Sequence, residues 1–576
     1  MKYLRVIYNL RVYILILIFK FPAGICQDSP FDPDFYNEAY RIREHVEVLT
    51  DRSLYIINEH INFRADLFTE GLSKDRAWSS VLYVELVTTG GTPLARAKFV
   101  VSDRMCKGRL TIPPDLLTGN YFLKCYTRWM RNAGPGSFSY TPLKIINPFK
   151  PEITVQANEE TTVPPVYGQD YDPGFFKCNI EESIFERGEE IVFSLSGLPD
   201  IDLQEIHHCI TVVPLSAIDT VKGQLTFSQS WVDREEFSVR FLPDLNGTSI
   251  SGTVVMPGTE ENSIQHARIH FSLLGDQSGY FVTKTDVLGK FVVSIPSRTG
   301  TQELFVVPEV PDNETVEVRI DQDFDAGTLP VTTIPFTLSA EEHEIATRMA
   351  LQMQLSEAFA EQAIPEEYME DTIPVPFYGI YGNSVVLDDY IDLPTLEEVF
   401  INLIPSVTFV KRMNKTTLTI HSGNRFIGNY KPLVMVDQIP IFDLDAVISI
   451  DPEKVNRIDV TNEVYVKGNV TYGGIVNIIT QKGDMGGIEL PAGSYFFDFM
   501  ALQPEKRVKK QIPVPEDRIP DLRNTLLWIP DLVPDEGSTT NITFKAPDCP
   551  GEYVILVRGV AGPGEILSAT TRFTVE

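Results

Sequence analysis

Along most of this chain apolar residues recur at every second position in short runs, and the runs break at polar or glycine-containing turns. Val46 to Phe63 reads as strand, polar turn, strand, with alternation on either side of the turn. Val81 to Val87 continues the pattern, and Gly119 to Thr127 is a turn followed by a strand of period two. Asn179 to Phe193 repeats the logic of strand, Gly/Glu turn and strand after a Pro/Gly-rich linker at about 151 to 172. Gly247 to Val254 opens a further strand set, with the turn Asp286-Val287-Leu288-Gly289 at its centre. The chain is therefore predicted to be mainly β, built from tandem sandwiches.

One stretch changes period. Ser339-Ala340-Glu341-Glu342 has the form of a capping box, and Ile345, Met349, Met353 and Phe359 follow at roughly helical spacing through Gln362. A methionine stripe of this kind predicts a core-facing helix rather than a ligand box. Ile364-Pro365 through Pro374-Val375-Pro376 then forms a stiff connector.

Residues 432 to 483 are the most distinctive. Pro432 to Pro440 is a strand ending in turn chemistry at Asp437, and Ile450 to Val460 carries Asp451-Pro452 ahead of an apolar strand. Tyr472-Gly473-Gly474 then leads into Ile475-Val476-Asn477-Ile478-Ile479. With the helix and turn at Leu393 to Val407, this order resembles the plug of TonB-dependent receptors. The resemblance implies structural roles for Asp437, Asp451, Pro452, Tyr472, Gly473, Gly474 and Asn477. A receptor barrel of 22 strands needs about 220 residues before loops. The chain beyond Gly483 lacks a run of alternating ten-residue strands, so the plug is expected here as a soluble module.

Other segments resemble modules of exported Gram-negative proteins. Residues 44–150 and 172–240 resemble macroglobulin-like (MG) β-sandwiches. Residues 241–338, around Thr285-Asp286-Val287-Leu288-Gly289-Lys290-Phe291, resemble a carboxypeptidase-regulatory-like β-sandwich. The implied order is a signal peptide at 1–26, these three sandwiches, a helical connector at 339–378, an α+β plug-like domain at 379–500 and a C-terminal β-sandwich at 501–576.

Lys2, Arg5 and Arg11 precede the apolar run Val12 to Phe19, which is too short to anchor in a bilayer about 30 Å thick. Export is expected, with cleavage after Cys26 and lipidation of Cys26 as the alternative. No later stretch is apolar enough to span a membrane. A net charge of −30 disfavours nucleic acid, because like charge repels the phosphate backbone. In an oxidising exterior Cys106 could bridge Cys125, and Cys178 could bridge Cys209; buried free thiols are the alternative. Thr220 and Thr372, within Asp-Thr-aliphatic tripeptides, resemble bacterial O-glycan sites.

Catalytic motifs are missing. There is no Gly-x-Ser-x-Gly, phosphate-binding glycine loop, His-Glu-x-x-His or paired Cys-x-x-Cys, and no thioester motif. His207, His208 and Cys209 form the densest ligand-type cluster, yet no second pair completes a zinc site. Asp321-Gln322-Asp323-Phe324-Asp325 has calcium-like alternation, but Ala326 and Thr332 occupy the places of the essential Gly and Glu. A solvated acidic turn is expected there. No cofactor or metal is expected, and the protein reads as non-enzymatic. Two functions remain: an outer-membrane-associated accessory docking to a membrane barrel or multi-protein complex, or a surface or periplasmic binder of polysaccharide or protein in which the plug is a spacer.

Overall fold

The computed structural model describes residues 41–71, 78–150, 166–167, 176–197, 207–218, 225–226, 239–258, 263–275, 278–296, 298–309, 316–327, 336–360, 376–379, 382–391, 393–412, 415–503, 521, 523–533 and 539–576. The expected leader, Thr220 and Thr372 lie outside them. The fold is mainly β, as the alternation predicts.

The first sandwich pairs Arg43–Thr50 with His60–Glu70, and that strand with Met105–Thr111. Facing it, Pro93–Val100, Val81–Thr88, Gly119–Tyr126 and Ser139–Ile146 are successive antiparallel neighbours. Period two sends Ile61, Phe63, Ala65 and Leu67 into one core with Val84, Leu86, Leu123 and Cys125. The capping box forms reciprocally: Glu342 N donates to Ser339 Oγ (3.1 Å), and Ser339 N donates to Glu342 Oε2 (2.8 Å). Helix α1 (Ala340–Ala360) lays Ile345, Met349 and Met353 into the same core. The side chain of Phe359 lies outside the described residues.

The second sandwich corrects the expected domain boundaries. Phe176–Ile180 and Glu190–Gly197 form a sheet with Thr540–Lys545, far along the chain. His208–Pro214 lies between Leu527–Leu532 and Gly551–Gly562, followed by Glu565–Val575. Ile191 and Phe193 share a core with Phe544, Tyr553, Ile555 and Phe573. Thus 172–240 and 501–576 do not form two sandwiches. Each supplies strands that the other must cover, because a single apolar sheet face has to be buried against a second layer.

The third sandwich shows the same device. Thr248–Val255, between Lys290–Ile295 and Glu317–Ile320, faces a sheet ordered Gly279–Lys284, Arg268–Leu273, Thr301–Glu309 and Tyr495–Met500. The last strand sends Phe499 into the core, with Phe497 packed against it. It belongs to this sandwich, so the module expected at 379–500 ends before it.

What lies between is an inner α/β unit. Its sheet is ordered Asn383–Val386, Val455–Thr461, Ile475–Thr480, Leu433–Val436 and Ile439–Pro440. Leu433–Val436 and Ile475–Thr480 run parallel, and the other neighbours run antiparallel. Helices α2 (Leu396–Leu403) and α3 (Leu444–Ile448) cover it with Leu396, Val399, Phe400 and Val447. Chain order is therefore nested: the inner unit interrupts the third sandwich, which interrupts the second.

Residues 501–576 expressed alone should show no cooperative thermal transition by circular dichroism, since their apolar strand faces have no partner sheet. A cooperative melt of that fragment would restore it to the standing of an independent domain.

Candidate functional site: buried junctions between the units

The acidic turn at 321–327 departs furthest from its expected role. It is a clasp on cations of the first sandwich, not a solvated loop. Lys98 is fully buried, 0% exposed, and its Nζ lies 2.6 Å from Asp323 Oδ2. Lys98 Nζ also donates to Met500 O at 2.7 Å, on the strand that returns to the third sandwich. Arg131 Nη1 and Nη2 donate to the backbone carbonyls of Asp323 and Gln322, each at 3.0 Å. Lys124 Nζ sits 3.2 Å from Glu85 and 3.6 Å from Asp325. Asp321, the third carboxylate of the turn, accepts from Ser251 Oγ within its own sandwich.

Phe324 explains the alternation. It packs edge-on against Tyr83 at 5.5 Å, so the carboxylates on either side of it face the cations. Beside the clasp, Arg128 Nη1 donates to Ser249 O (3.0 Å) and Nη2 to Ser251 Oγ (2.6 Å). Asp244, also buried, accepts from Tyr83 OH (3.0 Å) and Ser249 N (2.8 Å). Burial pushes the Asp244 carboxyl up, against the pull of Arg128. Burial lowers the Lys98 ammonium, against the pull of Asp323.

A second junction joins the first and second sandwiches. Arg558 Nη2 donates to Thr50 O (2.6 Å), Thr525 Oγ1 to Asp51 Oδ2 (2.7 Å) and Arg64 Nη1 to the carbonyls of His207 (2.9 Å) and Pro530 (3.1 Å). Lys107 pairs with Asp531 at 2.6 Å, and His207 Nδ1 contacts the same carboxylate. Glu47 accepts from Gly564 N at 2.8 Å, and burial raises its carboxyl to about 7. Among the described residues no group of three or more His, Cys, Asp or Glu could hold a metal.

Of the two alternatives for the cysteines the free thiols are found: Cys106, Cys125, Cys178, Cys209 and Cys549 are unbridged. Cys106 and Cys125 do share the first core, from facing sheets. Cys178 and Cys209 point to opposite sides. Cys178 packs against the core of the second sandwich, whereas Cys209 meets Leu49 and Val560 at the junction.

The inner unit rests on the third sandwich through aromatic and hydroxyl groups. His270 Nδ1 lies 2.6 Å from Tyr280 OH, which lies 2.7 Å from Tyr472 OH. The seven residues expected to be structural are placed as follows. Asp437 and Gln438 have positive φ (48° and 68°), the pattern of a type I′ hairpin turn. The Asp437 carboxylate accepts from Thr480 N (2.7 Å), Thr480 Oγ1 (2.7 Å) and Met485 N (2.9 Å). Asp451 caps the turn that Pro452 opens. Fully buried Asn477 donates to Tyr378 OH (3.1 Å) and accepts from Gln438 N (3.1 Å). At Gly473 a Cβ would meet Ile427 O and Tyr430 O at 2.4 Å; Gly474 adds a φ of +89°.

No protein-family model matches the chain, and no curated protein does. Among solved structures, it is similar to Salmonella alpha-2-macroglobulin reacted with methylamine, at 10% identity and TM-score 0.22, over 92% of this chain and 39% of that one. Trypsin-activated alpha-2-macroglobulin from Escherichia coli gives 11% identity and TM-score 0.22, over 92% and 41%. Dimeric latent PorU from Porphyromonas gingivalis gives 10% and 0.14, over 49% and 34%. The chain thus spans about two fifths of the length of these macroglobulins.

Gly473→Val should lower stability by about 1 to 3 kcal/mol, read as a shifted urea midpoint, because two backbone carbonyls occupy the space of its Cβ. A second test concerns Glu44. Burial raises its carboxyl to about 7, although Thr127 and Ser79 donate to it. A raised folded pKa means that stability is gained as pH falls through 7 toward the unfolded value. His45, His208 and His270, lowered by burial, act in the opposite direction. The informative quantity is therefore wild type against Glu44→Gln. The wild type should be favoured more at pH 6 than at pH 8; a difference independent of pH would count against an ionising Glu44.

Proposed function

We propose that the protein is an exported, non-enzymatic scaffold whose fused sandwiches present the inner α/β unit to an outer-membrane barrel protein or multi-protein membrane complex. The carrying observation is where apolar surface is left uncovered. Among the described residues, the most exposed large apolar side chains are Ile391 (89%), Phe426 (68%), Ile401 (65%) and Val466 (62%), and all four belong to the inner unit. Tyr390 and Tyr430 are exposed there too. Scattered single apolar residues are ordinary, but such a concentration on one unit favours a protein interface. The outward face of α2 carries Glu397 and Glu398 around Ile401, so the favoured partner surface is apolar with basic groups at its rim.

Two further features support a scaffold. The polar constellations sit at junctions between units, where every cation named above faces a carboxylate or carbonyl. No described helix is long and apolar enough to cross a membrane, so membrane association through a partner fits the chain. The resemblance of residues 432–483 to a receptor plug points to a barrel as that partner.

The double variant Ile391→Asp/Ile401→Asp should keep the wild-type melting temperature and lose co-purification with a barrel protein from detergent-solubilised outer membrane. Retention of the same barrel protein by that variant would overturn the reading and leave the inner unit as a spacer.

A further inference from the structure

The Lys98–Asp323 contact is unusual for an ion pair holding two units together. A lysine ammonium is strongly hydrated and leaves water at a cost of several kcal/mol, which an ion pair alone repays poorly. Here the Nζ has no exposure at all and is ringed by aromatic faces. It lies 4.9 Å from the Phe499 ring centroid, 5.5 Å from Tyr83 and 5.7 Å from Phe324. Both reacting groups are held still. Met500 O accepts from Lys98 Nζ, Arg131 grips the backbone carbonyl of Asp323, and Phe324 anchors the next residue. Two groups fixed in contact behave as if at very high effective concentration.

We propose that Lys98 and Asp323 condense into an intramolecular isopeptide bond that staples the third sandwich to the first. A proton passes from the ammonium to the carboxylate within the pair, giving a neutral amine and a carboxylic acid. The Nζ lone pair then adds to Cγ of Asp323. The hydroxyl leaves with a second Nζ proton as water, so a C–N bond replaces a C–O bond without oxidant or reductant. Burial among the rings favours the free amine of Lys98 that must attack. The amide removes the buried charge of the Lys98 ammonium, and it does so where the nested chain crosses between two sandwiches.

The test is the mass of the purified, denatured full chain. Condensation lowers it by one water, about 18 Da. Tryptic digestion should yield a branched species joining Ala97–Arg104 to Ile320–Arg348, with no cleavage after Lys98. Lys98→Arg and Asp323→Ala should each abolish the branched species and release the separate peptides. A full sequence mass in wild type, with Lys98 cleaved normally by trypsin, overturns the proposal. So does a water loss that maps elsewhere or persists in both variants. Wild type alone decides the matter, so a variant that fails to fold does not shelter the proposal. It stands apart from the docking reading, which needs no covalent tie.

Discussion

Four cations of the first sandwich, Lys98, Lys124, Arg128 and Arg131, lie almost wholly out of water, and each of them takes a partner from outside that sandwich. Their partners come from the third sandwich: the Asp323 carboxylate, the Gln322 and Ser249 carbonyls, and Asp325. Removing one side of a buried pair costs about 3 to 5 kcal/mol, a large part of the whole stability of a domain. The two sandwiches therefore stabilise one another. Arg558, Arg64 and Asp51 extend the same requirement to the second sandwich. The order of units along the chain matters less than this electrostatic closure, which makes one body of three sandwiches.

The strands themselves were legible because period-two alternation reports which face is buried, and Phe63, Val84, Leu123 and Phe193 lie inside as that alternation requires. Alternation does not report which strand is the neighbour. Thr540–Lys545 carries the same signal whether it belongs to a separate C-terminal sandwich or lies beside Glu190–Gly197, as it does. The Tyr495–Met500 strand misled for the same reason, since proximity in sequence assigned it to the preceding unit while hydrogen bonding places it beside Thr301–Glu309. Local chemistry was more reliable. The capping box at Ser339 and the turn at Asp437 depend only on residues within a few positions, and both form where the sequence puts them.

The site was harder, because its meaning lies in partners distant in sequence. Asp321, Asp323 and Asp325 read as a calcium-like loop or a solvated turn as long as Lys98, Lys124 and Arg131 are unknown neighbours. A usable signal was nonetheless present. Phe324 between two carboxylates is a poor choice for a solvated loop, and Lys98 stands within the alternating strand Ala95-Arg96-Ala97-Lys98-Phe99, which turns out to be buried around it. An apolar residue in an acidic turn and a lysine in a core strand together anticipate a buried ionic contact. The pairing of the cysteines was illegible for a different reason. Cys178 and Cys209 are neighbours in one sandwich by sequence, but sidedness within the sheets sends one inward and the other to the junction with Leu49.

Nesting gives the inner unit a mechanical position that a terminal domain would lack. It leaves the third sandwich after Glu317–Ile320 and returns as Tyr495–Met500, so both of its connections enter one body. It is seated there by apolar contact as well: Phe305 and Val307 of the third sandwich lie in the inner unit's own core, and Tyr280 meets Tyr472 below its sheet. Tilting the unit away would expose these residues and strand buried hydroxyls without partners, each such loss costing about 1 to 3 kcal/mol. The returning strand ends at Met500, whose carbonyl holds Lys98. A pull on the inner unit is thus carried through Tyr495–Met500 directly to Lys98, a fully buried cation of the first sandwich. The physical demand to neutralise that lysine and the geometry of the returning chain meet at the same atom.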